Sequence, residues 1–514
     1  MKTLKDIPTP AFVVHRQTFA RNCQTVLDLA RARNLKLRPH IKTHKTLEGV
    51  RLQVHGTAAS SSSTSTSTSS SGNSNINNNN VITGFVASTI PEVRLLVDYL
   101  TSGSNGGVST NCSILFGVPI SKAKLFEIMD LQKRLDDFIA TRTSSKNEKE
   151  SNEANGETDF RKRRKLDPCY KICILMDHKQ QIEMVRDVLL LQSRGTTSTA
   201  PLLSVFVKLD TGYHRAGIAC DAEGVALVEG IWKASSILNL VGLYSHCGHA
   251  YDHQNPEEIE EIAQTDMNRI QDFLQLLERR LTTAKGNSSS NSSTTSNNND
   301  GRTAEQVFER LTISVGSTAS LFHHRHPTDA ATDWWTEFLA RYPTIIIEIH
   351  PGNYTFYDRQ QLYTKACNSE NSIACSVLTR VIGHYDDEAR PQTILLDAGA
   401  TALTKETTPQ GGMAALRGPF GRNVKVYKMS QEVSMARRNT SNIVTAATTT
   451  TTTKSSNLLN DFPLGSLLML LPNHSCLAAA CFDKYYVVDD DPSTSECHLC
   501  DLPIVEEWVP AKGW

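Results

Sequence analysis

The sequence predicts an α/β protein, a TIM-like (β/α)8 barrel followed by an all-β C-terminal domain. Three observations carry this expectation. Between Leu35 and Ile349, eight strand signals alternate with helical ones. Several of these strands are continuous apolar runs, as in Ile345-Ile346-Ile347 and Leu203-Ser204-Val205-Phe206-Val207. Strands buried on both faces and joined by helical crossovers imply a parallel sheet, and eight such units imply a barrel. Beyond about residue 375 the helical period disappears, and short strands follow one another as in an all-β domain.

The elements follow in order. A helical pattern over residues 18–33 sets Phe19, Val26, Leu27 and Ala30 on one face and leads to the strand at Leu35. Helices at 46–54, 91–100, 122–139, 178–191 and 222–234 then alternate with strands at 81–86, 113–118, 171–176, 203–209 and 238–244. The strongest helix spans 256–281, where Ile259, Ile262, Ile270, Phe273, Leu277 and Leu281 recur every three or four residues. Pro256 suits its first position. Glu257, Glu258, Glu260 and Glu261 suit its positive end, and Arg279 and Arg280 its negative end. Strands at 311–315 and 344–349 flank a helix at 333–341. In the second domain the strand signals are 376–382, 393–397, 424–429, 467–471 and 485–489. Residues 7–14 also have strand character, which fits either domain.

Four segments cannot pack a core: 58–80 (Ser/Thr, then Asn), 144–165 (charged), 286–301 (Ser/Asn) and 445–456 (mostly Thr). They are too long for ordinary connections and read as insertions. The first three each fall between a helix and the next strand. In a barrel those connections lie at the N-terminal face, away from the chemistry. The division expected is a barrel over residues 12–365, and a β-domain made of 1–11 plus 375–514. Arg161-Lys162-Arg163-Arg164-Lys165 reads as a solvated charge run.

A net charge of −1 over 514 residues gives no field that would gather nucleic acid or a membrane surface. No apolar run approaches the ~20 residues of a spanning helix. The twelve cysteines are scattered, as in a chain with reduced thiols. The expectation is a soluble cytoplasmic protein with a small-molecule ligand.

The strand-to-helix connections differ in character from the insertions. They are residues 38–45, 210–217, 245–249, 316–320 and 350–354, rich in Gly, His, Ser, Thr and Asn. In a barrel all of them emerge on one rim. The first contains Arg38-Pro39-His40-Ile41-Lys42-Thr43-His44-Lys45. Taken alone it reads as a basic surface loop. A lysine partly desolvated among other cations, however, becomes a nucleophilic amine suited to a Schiff base. Gly316-Ser317-Thr318 and Gly352-Asn353, after the seventh and eighth strand signals, can offer backbone N–H groups and hydroxyls to a phosphate. A Schiff-base lysine beside a phosphate cradle implies pyridoxal 5′-phosphate, an electron sink for charge at an amino acid's α-carbon. In the β-domain, His474 and Cys476 stand two apart after an apolar strand. If extended they face the same way, as an imidazole–thiolate pair for Zn2+. Cys497-His498-Leu499-Cys500 lacks a partner pair and reads as a surface loop.

These motifs, with Ile7-Pro8-Thr9-Pro10, the segment Val207–Gly212 followed by His214-Arg215-Ala216-Gly217, and Pro472-Asn473-His474-Ser475-Cys476, resemble the eukaryotic zinc-dependent D-serine dehydratases. Those enzymes and the D-threonine aldolases share the alanine racemase-like fold. The resemblance covers nearly the whole chain outside the insertions. It implies that Lys42, rather than Lys45, forms the Schiff base and moves the α-proton. It implies that Arg215, Tyr244, Gly316, Ser317, Thr318, Gly352 and Asn353 hold the cofactor, and that His474 and Cys476 ligate zinc. The activity implied is α,β-elimination of D-serine to pyruvate and ammonia in a homodimer. The alternatives are a D-threo-3-hydroxyaspartate dehydratase, a D-threonine aldolase-type enzyme or a non-catalytic pyridoxal phosphate carrier. The aldolases carry Asp where Cys476 stands, which favours dehydration. Two positions depart from the pattern: Val433-Ser434 replaces a usual His-Gly, and Ala400 a usual Trp.

Overall fold

A computed structural model describes residues 2–61, 81–102, 112–150, 170–193, 202–286, 308–309, 311–330, 333–418, 423–438, 457–489 and 501–514. Most of the four insertion segments, the charge run 161–165 and Cys497–Cys500 lie outside these residues.

The strands in chain order begin with β1 (Ala11–His15). The barrel strands follow: β2 (Lys36–Leu37), β3 (Gly84–Ala87), β4 (Ser113–Pro119), β5 (Lys171–Met176), β6 (Leu203–Asp210), β7 (Ile218–Ala219), β8 (Leu238–Tyr244), β9 (Thr312–Val315) and β10 (Ile346–Ile349). Eight of them form one parallel sheet in the order β2-β10-β9-β8-β6-β5-β4-β3, and β7 attaches to β6. Parallel bridges Leu37↔Ile82 and His40↔Val86 bring its two ends together. The result is the near-closed barrel that the eight strand signals predict.

The barrel interior is built around an apolar cluster of Leu115, Cys173, Leu175, Phe206 and Tyr244. It also encloses an ion pair: Arg38 Nε donates to Glu348 Oε1 at 2.5 Å. Both side chains are buried. The remaining polar atoms are met by neighbours. Arg38 Nη1 donates to the Ser113 carbonyl, Thr83 Oγ1 donates to Glu348 Oε2 at 2.6 Å, and the guanidinium lies 5.2 Å from the Phe206 ring. A buried ion pair holds only when its other hydrogen-bonding positions are filled in this way. Gly84 makes room for it, because a Cβ there would stand 2.3 Å from Arg38 Nη1.

The second sheet contains β1 with β11 (Cys375–Tyr385), β12 (Thr393–Leu396), β13 (Ala414–Leu416), β14 (Val424–Met429), β15 (Ser434–Arg438), β16 (Leu467–Pro472), β17 (Tyr485–Val488) and β18 (Ile504–Trp508). Its order is β12-β15-β14-β13-β16-β11-β1-β17-β18, and β11 also pairs with β12. That last pairing closes six strands into an antiparallel barrel, with β1, β17 and β18 as an extension. β1 runs antiparallel to β11 and parallel to β17. All five of its residues are buried. Ala11 and Val13 join Leu378, Met469 and Val488, while Phe12 packs against Phe356 and Tyr485.

Residues 12–15 thus pair in the β-sheet, although the boundary expected from the sequence assigns them to the barrel. Apolar alternation is equally compatible with either sheet, so only pairing distinguishes them. The chain divides into two compact units. One comprises Met1–Val26, Lys42–Ser71 and Gly352–Lys512, and the other Leu27–Ile41, Gly72–Pro351 and Gly513–Trp514. Lys42 therefore packs with the unit that contains the β-sheet. Among the described residues, no helix is long and apolar enough to cross a membrane.

Candidate active site

The candidate residues fall into two groups, one in each compact unit. In the first, Lys42 lies in the turn just before the helix Leu47–His55, which Thr46 caps by accepting from the Gly49 N–H. Lys42 is partly buried, and the neighbouring Thr43 and His44 are fully so. Thr43 Oγ1 stands 3.1 Å from Cys476 Sγ.

His474 and Cys476 do not sit on an extended segment. β16 ends at Pro472, and a short helix, Ser475–Ala480, begins with His474 as its N-cap. The alternation argument therefore fails locally, yet the two side chains still come close enough to shift each other's titration. Ser475, between them, is held firmly. Its N–H donates to Asp358 Oδ2 at 2.8 Å, and its hydroxyl donates to Asn353 Oδ1 at 2.6 Å. Asn353 Nδ2 in turn donates to Asp358 Oδ2. Asp358 caps the helix Arg359–Tyr363 with its other oxygen, accepting from the Gln361 N–H. Asn473, just upstream, accepts from Arg359 and donates to the carbonyls of Glu406 and Gly412. The sequence does not single out Asp358, a common polar residue without a motif, and Thr43 and Ser475 stand inside the motifs without an assigned role.

The electrostatics of the pair are strongly coupled. Burial pushes the Cys476 thiol up. The hydrogen bond from His474, the positive charges of His474 and Lys42, and the Thr43 hydroxyl outweigh it, so the thiol lies below its ordinary value. Burial likewise opposes a charge on His474. The Cys476 thiolate and the Asp358 carboxylate overcome this, and also the repulsion from Lys42, raising the imidazole to about 9. The donor chemistry fits zinc: a thiolate and an imidazole sharing a proton that a divalent cation can displace. Two protein ligands leave positions open for substrate or water.

The second group lies on the C-terminal ends of the barrel strands. Tyr244 ends β8, and its ring stacks on His350 at 4.2 Å between centroids and 19°. Burial keeps His350 well below the ordinary imidazole range, and the charge of His246 adds to this. His350 Nδ1 bonds to Ser314 Oγ at 3.0 Å, while its Nε2 has no hydrogen-bond partner among the described residues. Gly316 takes a φ of +96°, which favours glycine, and its carbonyl accepts from His246 Nδ1 at 3.1 Å. The Ser317 N–H donates to Ser320 Oγ, and Ser317 and Thr318 are buried. Arg215 is exposed and stacks on Tyr213, and its charge reaches Tyr244. A buried, unpartnered imidazole nitrogen beside a stacked tyrosine and a glycine turn suits an aromatic cofactor carrying a phosphate.

Gly352 and Asn353 pack with the first group, not with this one. A third cluster, Cys247, Asp266 and His324, is fully buried in the barrel unit with its ligand atoms within 4.8 Å of one another. No spacing in the sequence announces it.

A near-closed parallel barrel and an antiparallel β-barrel, in this order, are the architecture of the alanine racemase-like proteins. Residues 160–310 match the family model "Alanine racemase, N-terminal domain", and residues 374–488 match "Putative serine dehydratase domain". Over its whole length the chain is similar to D-serine dehydratases. It is 26% identical to that of Schizosaccharomyces pombe, covering 100% of this chain and 94% of the relative. It is 24% identical to that of Dictyostelium discoideum, covering 99% and 98%. A solved D-threo-3-hydroxyaspartate dehydratase, a cysteine-to-alanine mutant in the metal-free form, shares the fold with a TM-score of 0.63. It is 20% identical and covers 100% of both chains.

Proposed function

We propose that this protein is a D-serine dehydratase, a lyase that converts D-serine to pyruvate and ammonia with pyridoxal 5′-phosphate and zinc. Similarity to several eukaryotic D-serine dehydratases along the entire chain supports the reaction. The observation that carries the site assignment is the convergence of Lys42, Thr43, His474 and Cys476 within one compact unit. Lys42, Arg215, Tyr244, Gly316, Ser317, Thr318, Gly352 and Asn353 are the residues assigned to the cofactor, and His474 and Cys476 those assigned to the metal. When bound, the cofactor delocalises negative charge from the substrate α-carbon, and zinc assists departure of the β-hydroxyl as a Lewis acid.

The chain's own groups do the rest. The Lys42 amine accepts the α-proton. His474 and the Thr43 hydroxyl hold the Cys476 thiol below its ordinary value, which favours the form that binds a metal. Asp358 and Asn353, through Ser475, fix the backbone between the two ligands so that imidazole and thiolate stay convergent. The Tyr244 ring, stacked on His350, offers an apolar wall with one imidazole nitrogen free to bond. Burial of Thr43, Asp358 and Ser475 strengthens the polar contacts that hold the pair.

The decisive experiment measures pyruvate release from a panel of D-3-hydroxy amino acids, with and without a chelator. D-Serine should lead the panel, chelation should abolish turnover, and Lys42→Ala should form no pyruvate. Turnover by Lys42→Ala would remove the lysine from its role, and turnover in chelator would remove the metal. The similarity to D-threo-3-hydroxyaspartate dehydratase favours that substrate as the second reading, and the same panel separates the two. A cofactor carrier would bind pyridoxal phosphate and release nothing. A cytoplasmic homodimer completes the proposal, and light scattering tests the dimer.

A further inference from the structure

The geometry points to a second divalent-cation site of the zinc class, formed by Cys247, Asp266 and His324 inside the barrel unit. It is distinct from the His474–Cys476 pair and independent of the activity proposed above. The three side chains come from three places. Cys247 is in the connection after β8, Asp266 is on the helix Pro256–Gly286, and His324 follows the turn after β9. Cys247 is 0% exposed, Asp266 1% and His324 2%.

Hydrogen-bond accounting carries the inference. His324 Nδ1 lies 3.0 Å from the Ser320 carbonyl, an acceptor, so Nδ1 holds the proton. Nε2 faces Asp266, whose Oδ2 is 3.5 Å away. That is too far for a charge-assisted hydrogen bond, which closes to about 2.7–2.9 Å. Neither His324 Nε2 nor Asp266 Oδ1 has a hydrogen bond of ordinary geometry among the described residues, although the Thr211 hydroxyl and the Cys247 thiol also face Asp266. A buried carboxylate and a buried imidazole left in this state are costly. One cation among them resolves both.

The spacing fits as well. Two ligands each about 2.0–2.2 Å from a tetrahedral zinc stand roughly 3.3–3.6 Å apart, the range in which Nε2 and Oδ2 are found. The outer contacts match those of ligated groups. The Ser320 carbonyl orients the imidazole by accepting from Nδ1, and Ser245 Oγ donates to Asp266 Oδ2 at 3.0 Å. A wall of Ala250, Ile259 and Ala319 packs beside Cys247. A pocket lined by Glu260, Met267, His323 and His324 opens beside the histidine of the cluster. The site would tie the turn Gly316–Ser320 to the barrel's longest described helix.

Zinc content of the zinc-saturated, dialysed full-length protein tests this. The intact protein should hold about two equivalents, and His474→Ala/Cys476→Ala about one. Asp266→Asn added to the double variant should remove the last one. Cobalt substitution in the double variant should still give a sulfur-to-cobalt absorption band, lost on Cys247→Ser. An intact protein that retains one equivalent, with none left in the double variant, would overturn the second site, leaving an imidazolium–carboxylate pair in its place. A folded double variant without zinc would do the same.

Discussion

The hydroxyl of Thr43 lies 3.1 Å from the sulfur of Cys476, joining the turn that carries Lys42 to the helix that carries the thiol proposed to hold zinc. The contact favours thiolate over thiol. Thr43→Val should therefore weaken zinc binding by about 10–100-fold, and Thr43→Ser should restore most of it. Competition with a chromogenic chelator measures this directly. Equal affinity in the valine variant would show that the hydroxyl has no hold on the metal.

The Arg38–Glu348 pair inside the barrel makes a sharp stability prediction. Glu348→Leu leaves a buried guanidinium uncompensated and should cost about 3–5 kcal/mol. Arg38→Met combined with Glu348→Leu should cost markedly less than Glu348→Leu alone, because no charge is then stranded. Urea denaturation of the single and double variants decides it. A double variant that loses the sum of both single effects would contradict the account.

His44 sets a pH dependence. Burial holds its imidazole down to about 4, against an ordinary 6.5. The folded state keeps His44 neutral while the unfolded chain takes up a proton below about 6.5, so unfolding gains protons. Stability is complete above about 6.5 and falls as pH drops towards 4, by on the order of 3 kcal/mol from this residue. Unfolding midpoints between pH 7.5 and 4.5 should fall more steeply for the native sequence than for His44→Asn. Parallel curves would assign the pH dependence to other groups.

Gly316 occupies φ +96°, and a Cβ there would stand 3.1 Å from the His324 ring. Gly316→Ala should lose about 1–3 kcal/mol of stability and retain less pyridoxal phosphate after dialysis. Cofactor absorbance and thermal melting follow the two effects together. An alanine variant with full cofactor and an unchanged Tm would free this turn from the assigned role.

Much of this architecture is legible in the sequence, for identifiable reasons. Lys171–Met176 and Leu238–Tyr244 match their expected bounds because they lie in parallel strands bounded by clear helical patterns. Asp333–Arg341 is equally plain as a helix. β13, only Ala414–Leu416, is too short to show a period. β15, Ser434-Met435-Ala436-Arg437-Arg438, has too few apolar residues to register. It begins at one of the two positions that depart from the dehydratase pattern. The His474–Cys476 pair is legible from residue type, but through an extended geometry that the N-cap at His474 replaces. The Cys247–Asp266–His324 cluster cannot be read at all, since its members are far apart in sequence and only the barrel brings them together.

β1 lies inside the second sheet, with β11 on one side and β17 on the other. During synthesis, Ala11–His15 leaves the ribosome more than 350 residues before its neighbours at Cys375–Tyr385 and Tyr485–Val488. The barrel can assemble while the nascent chain is still growing, but this strand must wait, its apolar residues without their partners, until both later strands have emerged. Chaperone demand should therefore concentrate on β1.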